Sequence, residues 1–170
     1  MKAMLLVLLC LFTVTTVFSG DKSEPVKNSP AFEKLKSLEG SWKGKDVSGK
    51  PVSISYKVVS SGSTVMETLD MGESEGAMVT MYHPDGDKLM MTHYCSMGNQ
   101  PRMRAQGLSK DGKAISFKFV DATNMKSPDA DCMRKLVVTF KDDDHFSQEW
   151  TMRMGGKMQA PDTFEFERVK

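Results

Sequence analysis

The sequence predicts an all-β chain: an antiparallel meander of about ten strands, closed into a barrel, behind one short N-terminal helix. Three observations carry this. After Gly40 the chain becomes a series of short extended runs separated by turn residues, among them "SSGS", "PDGD" and "KDG". No stretch of useful helical period intervenes between those runs. Ten strands joined in succession remove their exposed edges most simply by closing on themselves.

The first segment is set apart from that fold. Residues 1–20, "MKAMLLVLLCLFTVTTVFSG", carry Lys2, then an uncharged apolar run from Met4 to Val17, then small residues. This is the pattern of a secretory signal peptide cleaved near Ser19 or Gly20. The run is short for a membrane span, so no stable membrane insertion is expected once it is removed. Residues 21–29, "DKSEPVKNS", read as a flexible linker, and residues 30–170 as the barrel domain. The expected location is exported, periplasmic or extracellular.

Each element then follows from local pattern. Ser29 caps a short helix with Pro30 at its first position, Phe32, Leu35 and Leu38 form its apolar stripe, and Gly40 ends it. Strands are expected at 41–46, 52–60, 64–69, 77–83, 88–95, 102–109, 113–120, 132–140, 145–154 and 162–169. Alternation puts Phe146, Gln148, Trp150, Met152 and Met154 on one face, and Ile115, Phe117 and Phe119 on another. In 132–140 it places Leu136, Val138 and Phe140 inward, and with them Cys132 and Arg134. The facing of the strands at 77–83, 88–95 and 102–109 stays open, with Arg102 and Arg104 leaning outward.

Successive strands of a meander alternate direction. The short turns "SSGS", "HPDGD", "SKDG" and "KDDDH" therefore gather at one end, and "DVSGK", "DMGESEGAM", "CSMGNQP", "VDATNMKSPDAD" and "MGGKMQAPD" at the other. The first end is expected shut and the second open. Trp42 and Arg168 both fall at the shut end, where first and last strands meet, as a cation–π pair. Cys95 and Cys132 both fall at the open end, where an even pair of cysteines in an oxidising compartment suggests a disulfide.

The segment "LEGSWKG" at 38–44, a Gly40-Ser41-Trp42 opening the first strand after a short helix, resembles the Gly-x-Trp signature of the calycin group. That group holds lipocalins, fatty-acid-binding proteins and avidin-like barrels, and the chain looks most like its small secreted bacterial members. Arg168 stands where a lipocalin places the arginine that covers that tryptophan. The resemblance implies an interior cavity open at one end and names no ligand. Nitrobindin-type barrels share the opening motif and bind haem through a histidine in their later half. Here that half offers only His145, at the shut end, which argues against haem.

The remaining signals concern chemistry. Without the leader the chain carries 22 basic and 22 acidic side chains, no basic stripe and few aromatics, so a nucleic-acid partner is not expected. His83, His93 and His145 fall too far apart to share an ion, and no metal motif is present, so no metal or cofactor is expected. His93 and Cys95 share a face at i and i+2 but lack an orienting third group. Thirteen of the fifteen methionines follow the leader. They read as an adaptable cavity lining, with Cu(I) binding as the alternative.

The expected function is therefore binding of a small, largely apolar or amphiphilic ligand. Phe117, Trp150, Met91, Met152 and Met154 would form the wall, with Gln148, and His93 and Arg134 would meet a polar or acidic head. The other readings are an enzyme with His93 as acid/base, a haem- or copper-binding barrel, and a filled barrel with a structural or interaction role. Oligomeric state is open.

Overall fold

The computed structural model describes residues 29–72 and 75–170. The expected leader, and all of the expected linker but Ser29, lie outside the described residues. Helix α1 (Pro30–Lys36) begins at Ser29, whose side chain accepts from the Phe32 backbone N–H, and ends at Ser37, whose hydroxyl donates to Lys34 O (2.7 Å). Gly40, expected to end the helix, instead opens the first strand. Its φ of +126° suits glycine, and a Cβ there would lie 3.2 Å from Arg168 Nη1.

The strands are β1 (Gly40–Lys45), β2 (Pro51–Val59), β3 (Thr64–Asp70), β4 (Ala77–Asp85), β5 (Lys88–Tyr94), β6 (Gln100–Leu108), β7 (Ala114–Thr123), β8 (Cys132–Phe140), β9 (His145–Met154), β10 (Lys157–Met158) and β11 (Asp162–Arg168). Each of β1 to β9 pairs antiparallel with the next. Strand β11 pairs with β9 on one side and with β1 on the other, so ten strands close into an antiparallel barrel. The two-residue β10 pairs with the end of β9. This closed barrel is compatible with a calycin-like architecture.

Burial follows the alternation. Val52, Ile54 and Tyr56 of β2 face in, as do Val65, Glu67 and Leu69 of β3 and Phe146, Gln148 and Trp150 of β9. The strands whose facing the sequence left open are settled the same way. Met78, Thr80 and Tyr82 of β4, Leu89, Met91 and His93 of β5, and Met103 and Ala105 of β6 are buried. Arg102 and Arg104 consequently face out and pair with Asp121 and Asp85.

One end is shut. Phe32, Leu35 and Leu38 join the barrel's core from α1 and the turn after it. Trp42 donates from Nε1 to Leu38 O (2.8 Å) and meets Phe146 edge-on. The Arg168 guanidinium covers the indole at 4.0 Å and donates to three backbone oxygens, those of Ser37, Glu39 and Asp143. Gly44 lets β11 approach: a Cβ there would stand 2.3 Å from Glu165 O. The longer loops all lie at the other end, as the direction of the strands requires.

Candidate functional site

The barrel is packed from its shut end to mid-height, where Val65, Ile115, Phe117, Leu136, Val138 and Phe146 are fully buried. Above them, under the long loops, lies a cavity of about 220 Å³. Leu69, Met71, Met78, Met133, Trp150 and Phe164 supply its apolar wall. His93, Asp46, Glu75 and Asp162 also line it.

Beneath the cavity floor the core holds a polar chain. Glu67, from β3, is buried, and no cation is among the leading influences on it from the described residues. Tyr82 donates to its Oε2 (2.8 Å), as does Gln148 Nε2 (2.8 Å); Tyr56 bonds the same carboxyl, and Thr80 donates to Oε1 (3.2 Å). Gln148 also donates to Tyr56 Oη (2.8 Å) and accepts from Trp150 Nε1 (2.9 Å). Thr80 Oγ1 lies 2.9 Å from His93 Nδ1. The imidazole packs against the Trp150 ring with centroids 4.7 Å apart. The other ring nitrogen, Nε2, is buried without a hydrogen-bond partner.

Burial sets the electrostatics. It pushes Glu67 above the usual carboxylate range, while its four hydrogen-bond partners pull the other way. It pushes Tyr56 and Tyr82 well above the usual phenol range, and the nearby Glu67 charge adds to the rise. It lowers His93 to about 4, so the ring is neutral at pH 7.

The structure brings together only some of the residues expected from sequence. His93 and Trp150 line the cavity, and Gln148 lies just beneath it in the polar chain. Phe117 and Met91 are fully buried in the core, Phe117 against Tyr82. Met152 is half-buried and Met154 exposed.

Arg134 departs most from expectation. A β-bulge between Met133 and Lys135 breaks the alternation, so Met133 lines the cavity instead. Arg134 lies over the Phe119 ring at 3.9 Å and donates from Nη2 to Pro128 O, with its Nε buried and unpaired.

The expected disulfide is also corrected. Cys95 and Cys132 are both buried free thiols. Strands β6 and β7 separate the two, and Cys132 lies beyond the bulge that puts its strand out of step. The loops do approach, since Asn99 Nδ2 donates to Asp131 O (2.9 Å).

Sequence reasoning missed Glu67, Thr80, Tyr56 and Tyr82 as site residues. The signal was present in period two: Glu67 stands between Val65 and Leu69, and Thr80 between Met78 and Tyr82, on inward faces. Comparison with models of known protein families and with curated proteins finds no match for this chain.

Proposed function

We propose that the protein is an exported carrier that binds a small, largely apolar molecule in the cavity at the open end of its barrel, in the manner of lipocalins and fatty-acid-binding proteins. The observation that carries this is the cavity itself: an apolar wall with one buried, unpartnered polar atom, His93 Nε2. Ligand sites have this composition, and a buried polar atom without a partner costs about 1–3 kcal/mol that a ligand would recover. At about 220 Å³ the cavity falls below the roughly 300–1,000 Å³ of drug-sized sites, so its occupant is compact. Burial of apolar area supplies most of the affinity.

An enzyme using His93 as acid/base is the weaker reading. A ring that protonates only near pH 4 is a poor base at neutral pH.

The test is titration with 1-hexanol, a neutral compact probe, read by Trp150 fluorescence, with native mass spectrometry of protein purified from its own host. Saturable binding that is lost in Met78→Trp, which fills the cavity, is expected. No saturable change, with no co-purified small molecule, would remove the carrier reading.

A further inference from the structure

The order of donors and acceptors in the buried chain determines which chemistry the cavity accepts. An indole N–H only donates, so Trp150 fixes Gln148 Oε1 as an acceptor and orients the amide. Both amide hydrogens then point at Tyr56 Oη and Glu67 Oε2. The Tyr56 oxygen is occupied as an acceptor, which leaves its own proton for the Glu67 carboxyl. Tyr82 gives its proton to the same group. Two phenols and an amide thus converge as donors on one carboxyl group.

The remaining neighbour is Thr80. Its single proton goes to Glu67 Oε1, which leaves its oxygen as the acceptor toward His93 Nδ1, 2.9 Å away. A neutral imidazole carries one ring proton, and Nδ1 holds it. We infer that His93 presents a bare Nε2 lone pair to the cavity, so that the site takes a ligand with a hydrogen-bond donor head, an alcohol or a protonated amine, and rejects carboxylates. The mouth agrees: Asp46, Glu75 and Asp162 line it, and no lysine or arginine does among the described residues. An acid head would set its lone pairs against that of Nε2, close to three carboxylates. The inference rests on the carrier reading and replaces the acid-head ligand expected from sequence, since Arg134 lies outside the cavity against Phe119.

Two measurements on the purified protein test this. The first is the ¹⁵N spectrum of histidine-labelled protein at pH 7. A proton on His93 Nδ1 with an unprotonated Nε2 is expected, retained in Thr80→Ser and lost as a single form in Thr80→Val. A proton fixed on Nε2 in the wild type would overturn the inference. The second is titration with hexylamine, 1-hexanol and hexanoate, read by Trp150 fluorescence. Hexanoate is expected to bind at least about tenfold more weakly than the other two, with the gap narrowed in Thr80→Val. Hexanoate binding as well as hexylamine overturns the donor-head assignment and leaves the carrier reading standing. Binding by none of the three overturns both.

Discussion

The hydroxyl of Thr80 and Nδ1 of His93 lie 2.9 Å apart, and that contact joins the buried Glu67 carboxyl to a residue of the cavity wall. Strands β4 and β5 set it directly, because Thr80 and His93 are cross-strand partners on the inward face. The sheet register thus positions the imidazole, with the Trp150 ring packed against it.

His93 makes stability fall on mild acidification. Its folded pKa is about 4 against an ordinary 6.5, so the unfolded chain binds the proton more tightly. The stabilisation of the neutral ring is complete above pH 6.5 and is lost as pH falls toward 4, roughly 3 kcal/mol in all. Glu67 acts oppositely: its folded pKa is raised, so the stability it contributes is present at low pH and lost as pH rises through its folded value. Urea denaturation of wild type and His93→Gln between pH 4 and 7 should show the wild type losing stability toward pH 4. The variant should lack that part of the slope.

Removing the carboxyl at the centre of the chain strands its donors. In Glu67→Ala, Tyr82 and Gln148 each lose a hydrogen bond in the buried core, and Thr80 loses its acceptor. The expected cost is roughly 3–5 kcal/mol, with Glu67→Gln costing clearly less because it keeps an acceptor oxygen. Equilibrium urea unfolding of the two variants checks the order. Equal losses would mean that the chain carries no net hydrogen-bond stabilisation.

How far the sequence was legible follows from what each residue depends on. The strands of 132–140 and 145–154 occupy the expected residues, and the others lie within a few positions, because alternation and turn chemistry are local. Trp42 and Arg168 were also readable, since closure of a meander forces first and last strands together. Arg134 was not: the bulge after Met133 breaks the alternation that grouped Arg134 with Leu136, Val138 and Phe140, and no residue type marks that bulge in the sequence. The polar chain was half legible. Period two places Glu67 and Thr80 inward, yet bringing Gln148 of β9 to the Glu67 carboxyl of β3, beside its partners on β2 and β4, depends on barrel closure.

Arg168 should matter more than an exposed charge does. Its guanidinium donates to Ser37 O, Glu39 O and Asp143 O while covering Trp42, and so ties α1, β11 and the β8–β9 turn together. A lysine has one nitrogen and cannot reach all three. Arg168→Lys is therefore expected to cost about 1–3 kcal/mol, nearly as much as Arg168→Met. The near-ultraviolet circular dichroism of Trp42 should weaken in both variants. Full stability in Arg168→Lys would show that charge alone suffices.

The two thiols give the last prediction. Cys95 is held by its own turn, donating from its N–H to Asn99 O (3.2 Å) and accepting from the Gly98 N–H (2.9 Å). Cys132 is fully buried, and burial pushes its thiol above the ordinary range, with Cys95 adding slightly and Arg134 opposing. A buried, protonated thiol reacts slowly, since the thiolate is the nucleophile. Purified protein treated with a thiol reagent at pH 8 is expected to react slowly while native, then at both Cys95 and Cys132 once denatured without reductant. The slow native reaction should quicken in Asn99→Ala, which removes the bond from Asn99 Nδ2 to Asp131 O that holds the two loops together. A denatured, unreduced protein in which neither Cys95 nor Cys132 titrates would show that the sulfurs bond to each other in solution.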